Sequence, residues 1–267
     1  MNLPEIPLQF VYFFDIIPQY HILLISRTEF IMRYRFLLFD VDNTLLDFDA
    51  NEAESFRSMI EQVGETWTQE LYETYRQMNI NLWKQIERKE ISVEEGINRR
   101  FSDLMALYGK CVDGKKWEEI YRFYLNQGAQ KIPQVDLVLQ NLKKQGYELY
   151  VITNGVEETQ VSRMKKSGLD QYFRESFISG KVGIGKPSKE FFDYVKLHID
   201  GFEEYSALII GDSLTSDIKG GIDNGIDTCW FYRDKKKELW EEELKESGLQ
   251  PTYKIRKLTE LLTILSH

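Results

Sequence analysis

The sequence predicts an α/β protein whose core is a doubly wound, mainly parallel sheet, interrupted once by a bundle of four helices. Three observations carry this expectation. Apolar runs at residues 36–39, 150–152 and 207–210 have strand length, and polar residues follow each of them, as at the ends of buried parallel strands. Beyond Pro133, helical and strand-like segments alternate, the pattern of successive βα units. Between the first run and the second, residues 49–129 carry apolar residues at helical spacing instead. The expected organisation is a Rossmann-like core of residues 32–48 and 130–267, a helical insert of residues 49–129, and an N-terminal extension of residues 1–31.

With 267 residues the chain is long enough for one large core and a smaller satellite. A hydrophobic content of 42% with 13% aromatic residues favours a packed chain over a disordered one. The formal net charge of −9 counts against broad binding to nucleic acid or an anionic membrane, since either needs a basic face. Any anionic substrate must be held locally. Cys111 and Cys229 are far apart and fit no metal-ligand spacing, so they read as reduced packing thiols of a cytoplasmic protein. In the extension, the apolar stretch from Phe10 to Ser26 is broken by Asp15, Pro18, Gln19 and His21. It falls short of the roughly 18 unbroken apolar residues of a spanning helix, and no basic segment precedes it. With Met32 just ahead of the first strand, the extension reads as a misassigned start or a poorly ordered extension, an extra packing segment being the alternative.

Taken in order, the first run ends at Asp40, and Asp42 follows one residue later; an ordinary Asp-rich turn is the plain alternative. Ala53, Phe56, Met59, Ile60 and Val63 form the first helical stripe, stopped by Gly64. Thr68 is placed to cap a second helix, with Leu71, Tyr75, Met78, Leu82 and Ile86 on its face. Ser92 and Glu95 form a capping-box pattern ahead of Ile97, Phe101, Leu104, Met105 and Tyr108, and Gly109 ends that helix. Trp117, Ile120, Tyr121, Tyr124 and Leu125 make the fourth stripe. These stripes read chiefly as a bundle core. Trp83, Lys84, Arg99, Arg100 and Trp117 are candidate substrate contacts, although solvated or packed roles are commoner for such residues. The sheet resumes with a helix at 134–145, a strand reaching Thr153, a helix to Ser167, a short strand at 177–179 and a helix at 188–198. The strand at 207–210 delivers Asp212, and a helix follows at 218–224. Residues 228–232 and 252–255 are expected as edge strands, and the basic run 233–237 as the solvated start of a last helix.

Four short patterns stand at the ends of these runs: Asp40-Val41-Asp42-Asn43-Thr44, Thr153-Asn154-Gly155, Gly185-Lys186-Pro187, and Gly211-Asp212 through to Asp217. Each alone is weak. In this order, with a helical insert after the first, they resemble the haloacid dehalogenase-like hydrolase superfamily, and specifically its branch with a small helical cap. The segment from Asp40 to Phe48 is similar to pyrimidine 5′-nucleotidase-type phosphatases, whereas sugar phosphatases commonly carry glycine where Asn43 stands.

The resemblance implies a site. Asp40 would attack phosphorus and form an aspartyl-phosphate. Asp42 would protonate the leaving alkoxide and then activate water against the intermediate. Thr153 would hydrogen-bond a phosphoryl oxygen, with Asn154 and Gly155 offering backbone N–H groups at a helix start and Lys186 holding the phosphate. Thr44 would brace the nucleophile loop. Asp40, the Asp42 carbonyl and Asp212 would ligate Mg²⁺, with Asp217 ordering bound water or Lys186. Charge counting supports a cation, because four aspartates and a phosphate dianion face a single lysine; a hard divalent ion on oxygen ligands suits them. The same crowding is expected to keep Asp42 partly protonated. A helix-capping Thr153 and a surface Lys186 remain the plain alternatives.

The implied function is a Mg²⁺-dependent phosphomonoesterase acting on a small phosphorylated metabolite, nucleoside 5′-monophosphates first. The setting is cytoplasmic and the protein a monomer or homodimer, with neither a nucleic acid polymer nor a membrane as partner. A small sugar-phosphate or phosphoglycolate-type phosphatase and a phosphomutase are the alternatives, since they share all four patterns. Asp42 disfavours a haloacid dehalogenase, and the helical insert disfavours a phospho-receiver signalling domain.

Overall fold

A computed structural model describes residues 32–233 and 237–266; the extension of residues 1–31 and most of the basic run fall outside them. The first strand, β1 (Phe36–Phe39), is followed by α1 (Phe48–Gln62), α2 (Gln69–Glu87), α3 (Val93–Ala106) and α4 (Gly114–Leu125). Then come α5 (Val135–Lys144), β2 (Glu148–Thr153), α6 (Glu157–Ser167), β3 (Glu175–Ile178), α7 (Ser179–Val182) and α8 (Lys189–His198). The chain ends with β4 (Ala207–Gly211), α9 (Lys219–Asp223), β5 (Asp227–Phe231), α10 (Lys237–Ser247), β6 (Tyr253–Ile255) and α11 (Glu260–Ile264).

The strands form one sheet in the order β3-β2-β1-β4-β5-β6, and every pairing is parallel. The sheet is thus wholly rather than mainly parallel. One expectation fails: β5 is not an edge strand but lies between β4 and β6. Its Cys229, Trp230 and Phe231 are all buried, and such an unbroken apolar run suits a strand covered on both faces. The edges are β3 and β6.

Side chains of β1 alternate between the faces, as a period of two requires. Leu37 and Phe39 pack with Val138, Leu139 and Leu142 of α5 and Leu261 of α11. Phe36 and Leu38 pack with Phe191, Phe192 and Val195 of α8. From β1 the chain goes to one side for β2 and β3 and to the other for β4, β5 and β6. Such a reversal leaves a crevice beyond the carboxyl end of β1, where open α/β sheets bind ligands.

Helices α1 to α4 lie between β1 and β2 in sequence and have a core of their own, including Phe56, Leu71, Tyr75, Phe101, Leu104 and Tyr121. Phe56 and Tyr75 stack at 4.4 Å between ring centroids, and Tyr75 and Phe101 at 5.5 Å. Thr68 and Ser92 accept from Leu71 N and Glu95 N at 3.1 Å, so both cap helices. The Glu95 carboxylate accepts from Arg99. A polar thread also crosses this interior: Asn79 donates to Glu52 at 2.7 Å, and Arg100 donates to Asn79 at 2.9 Å and to Glu118 at 2.8 Å. The two crossings of the chain, into the insert before α1 and out of it after α4, run side by side, since Leu46 and Lys131 form an antiparallel bridge, Asp47 N donates to Gln130 O at 2.8 Å and Ile132 N to Leu45 O at 3.0 Å.

Smaller differences have local causes. Cys229 is buried but Cys111 is exposed, so only the former packs. Arg233 is not a solvated helix start; it reaches Asp47, the N-cap of α1, at 2.9 Å. The short helices α7 and α11 have too few turns to leave a periodic stripe. Among the described residues no helix is long and apolar enough to cross a membrane.

Phe101→Ala is expected to cost about 3–5 kcal/mol, the usual range for emptying a buried phenylalanine site, read as a lowered urea midpoint. A cost under about 1 kcal/mol would show that the Phe56–Tyr75–Phe101 stack does not organise the insert.

Candidate active site

The register of β1 pairs Phe39 with Val151 of β2 and with Ile210 of β4, so the three strands end together. Asp40 N donates to Ile210 O at 2.9 Å, which extends the pairing to the first residue past β1. The eight residues that the four sequence patterns nominated, Asp40, Asp42, Thr153, Asn154, Gly155, Lys186, Asp212 and Asp217, all border one cavity of about 210 Å³.

Lys186 holds its centre. Its buried ammonium donates to Asp40 Oδ1 at 2.7 Å, Asp217 Oδ1 at 2.6 Å and Ile152 O at 2.8 Å, which uses all three of its protons. Burial pulls its pKa down, but Asp217 and Asp40 more than reverse that, and the net shift is upward. Burial pushes the Asp40 carboxyl up; Lys186 opposes this, and Asp217 and Asp42 add to it. The Lys186 peptide is fixed from both sides by Asn154, whose Oδ1 accepts from Lys186 N and whose Nδ2 donates to Lys186 O, each at 2.7 Å. Asn154 therefore positions the lysine with its side chain, a part its sequence did not suggest.

Asp217 sits on a single π-helical turn, Leu214–Ile218, capped by Ser213; such turns are rare and often mark functional sites. Its Oδ2 accepts from Ser213 N at 3.1 Å. A Cβ at Gly211 would overlap the Asp217 carboxylate, so glycine is needed there for close approach. Asp212 follows, its carbonyl accepting from Trp230 Nε1 at 2.8 Å. Carboxylate oxygens of Asp40, Asp212 and Asp217 lie within 4.8 Å of one another. This all-oxygen set, only part of whose charge the buried Lys186 offsets, fits a hard divalent cation such as Mg²⁺. The Asp42 carboxylate stands outside the set, so any ligand role falls to its carbonyl.

Besides its like-charged neighbour Asp40, Asp42 meets cationic and neutral donors. Arg163 pairs with Oδ1, and Gln160 Nε2 donates to Oδ2 at 2.6 Å. Both come from α6 and are buried. Thr153 Oγ1 accepts from Gln160 Nε2 and from Gly155 N, each at 3.3 Å. Two further motif residues have structural duties. Asn43 takes a left-handed φ of 58°, which Asn tolerates better than most residues, and its Oδ1 accepts from Phe48 N and Asp49 N at 3.1 Å. Thr44 does not brace the loop through its hydroxyl, which is buried with no hydrogen-bond partner among the described residues; its N donates to Val41 O at 3.3 Å.

Of the candidate contacts on the insert, Trp83 and Arg100 border the cavity. Lys84 is exposed, Arg99 pairs with Glu95 and Asp103, and Trp117 packs inside the bundle. Sequence reading passed over Glu87, Tyr121 and Arg122, which also border the cavity. Arg122 donates to Thr159 at 2.7 Å and pairs with Glu118, while Thr215 donates to Glu87 at 3.1 Å; both contacts join the insert to the sheet side. Burial raises the pKa of Glu87.

Comparison with known proteins shows the family of the chain. The sequence profile of the haloacid dehalogenase-like hydrolases matches residues 37–231. YfnB of Bacillus subtilis, provisionally named a HAD-hydrolase, is 43% identical over 88% of this chain and 96% of its own. Its crystal structure, described as bound to magnesium, superposes with a TM-score of 0.80 over 88% of this chain and all of that one (100%). The pyrimidine 5′-nucleotidase PynA of Streptococcus pneumoniae is 38% identical over 88% of this chain and 96% of its own. The pyrimidine 5′-nucleotidase YjjG of Escherichia coli is 28% identical over 88% of this chain and 99% of its own. With the profile spanning both sides of the helical insert and the relatives matched nearly end to end, the chain belongs to the haloacid dehalogenase-like hydrolases.

Proposed function

We propose that this hydrolase is a Mg²⁺-dependent phosphomonoesterase that removes the phosphate of nucleoside 5′-monophosphates, pyrimidine ones first, through an aspartyl-phosphate. The observation that carries the reading is the pair Asp40 and Asp42 at one strand end, each with different partners. Asp40 sits with Lys186 in the acidic cluster; Asp42 is held by Arg163 and Gln160. In this reading one carboxylate is the nucleophile and the other the acid and base, whereas displacing a halide would require no acid. The names of PynA and YjjG support the substrate class.

In this reading Asp40 attacks phosphorus, and Asp42 gives its proton to the leaving ribose oxygen. Lys186 and Thr153 meet the phosphoryl oxygens, for which Lys186 must share the donors now spent on the aspartates. Asp42 then takes a proton from the water that attacks phosphorylated Asp40. Asp40, Asp212, Asp217 and the Asp42 carbonyl would hold Mg²⁺, which neutralises charge that the lysine alone does not balance. The insert acts as the cap over the crevice, its Trp83, Arg100, Tyr121 and Arg122 closing the cavity above the strand ends. The protein works in the cytoplasm on a small soluble phosphate ester.

A panel of phosphate monoesters read by free phosphate is expected to give a higher kcat/KM for uridine and thymidine monophosphates than for hexose phosphates. A sugar phosphate or phosphoglycolate ahead by about tenfold, or 1.4 kcal/mol, would sink the substrate class. Rearranged ester in place of free phosphate would make it a mutase. Chelator is expected to abolish turnover and added Mg²⁺ to restore it; full activity in chelator would remove the metal from the mechanism.

Asp40→Asn is expected to end turnover while substrate still binds. Asp42→Asn is expected to lower kcat/KM for a nucleotide by about 10² or more, and far less for nitrophenyl phosphate, whose leaving group is stable as an anion. Phosphorylated Asp40 should accumulate in that variant and be visible by mass spectrometry. Equal losses on both esters with no adduct would refute the roles given to the two aspartates.

A further inference from the structure

The helix after β2 presents two buried polar side chains, Gln160 and Arg163, one turn apart on the face toward the cavity. At this spacing side chains on a helix stand one above the other. They meet the two oxygens of one carboxylate: Gln160 Nε2 donates to Asp42 Oδ2 at 2.6 Å, and Arg163 Nη1 pairs with Oδ1. Asp42 is the only carboxylate recorded against Arg163 among the described residues. A buried guanidinium needs such a partner, and removing either half leaves an uncompensated charge.

Three further observations show that the cradle is built rather than incidental. A Cβ at Gly155 would overlap the Gln160 amide and expel it; Gly155 has no left-handed φ to explain it, so its missing side chain serves Gln160. The Gln160 amide also reaches Thr153 Oγ1 at 3.3 Å, which ties the Asp42 carboxylate to the end of β2. Finally, the Arg163 guanidinium lies 5.4 Å from the ring centroid of Phe48, a cation–π distance, and Phe48 is the first residue of α1.

We propose that Gln160 and Arg163 are positioning residues for the proton transfers of Asp42. Neither would touch the reacting atoms. By donating to both oxygens they hold the carboxylate in one rotamer, away from the Asp40–Asp212–Asp217 cluster, with its remaining lone pairs toward the cavity. A carboxyl held in one rotamer hands its proton along one path, so the two residues assist departure of a basic alkoxide and do little for a leaving group that needs no proton. The seat of Arg163 against Phe48 couples this rotamer to the crossing into the insert.

The inference rests on the acid role proposed for Asp42, and the test separates the two. Arg163→Met, Arg163→Lys, Gln160→Met and Asp42→Asn are compared through kcat/KM on uridine 5′-monophosphate and on nitrophenyl phosphate, with melting temperatures recorded. Arg163→Met and Gln160→Met are expected to lower the nucleotide value by about tenfold or more, within the range of lost acid–base catalysis, and the nitrophenyl value by no more than about threefold. Arg163→Lys, which keeps the charge, should recover most of the nucleotide rate. Equal losses on the two esters for both Met variants, while Asp42→Asn retains its leaving-group dependence, would overturn the positioning role. If Asp42→Asn itself lost both substrates equally, the acid assignment would fail first. Gln160→Met changes no charge and keeps the side-chain length, so it tests the proposal even where Arg163→Met does not fold.

Discussion

Lys186 carries its charge to a place water does not reach, and Asp40, Asp217 and the Ile152 carbonyl meet its three protons there. A buried cation persists only where carboxylates pair with it, and the desolvation of all three groups makes removing any one of them costly. That single side chain therefore ties together the ends of β1 and β2 and the π-helical turn after β4. Asn154 fixes its backbone, and Gly211 leaves room for Asp217 to reach it. The arrangement holds its carboxylates close in advance, so a divalent cation would meet oxygens already in place.

Around that centre the two aspartates of the first pattern are separated by environment rather than by distance. Asp40 is sunk among charges at the sheet end; Asp42 is partly open and gripped from α6. Both lie just past the end of β1, and the neighbouring elements make them chemically unlike. Above them the insert contributes a wall in which Arg100 and Glu118 are themselves buried and paired, so its polar groups are held in place before any ligand arrives.

Much of this was legible in the chain. Apolar runs ending at Asp40, Thr153 and Asp212 mark strand ends because a parallel strand covered on both faces has no other reason to stop at a charge. The insert was legible because its stripes keep helical spacing over four segments. Strand order was not, since nothing local in Cys229, Trp230 and Phe231 says which strands flank them, and β5 was misplaced for that reason. Gln160 and Arg163 escaped notice because a polar residue on a helix looks solvated until its face is known. The signal was present in their spacing and in Gly155, whose purpose appears only once the Gln160 amide is seen beside it. Asn43, read in the sequence as a mark of substrate class, also secures the first turn of α1 with its side chain.

The paired crossings at Leu46 and Lys131 bear on how the chain reaches this state. β1 is the centre of the sheet, yet its partners β2 and β4 are made much later along the chain, so its pairing must wait for a long loop to close. The cost of closure grows with loop length. If α1 to α4 collapse first on their local contacts, the antiparallel bridge brings residues 46 and 131 together, and the effective loop between β1 and β2 shrinks to the few residues flanking the bridge and α5. The insert then serves as an entropic shortcut during folding as well as a wall of the finished site, and its length is free to vary provided its two ends still meet.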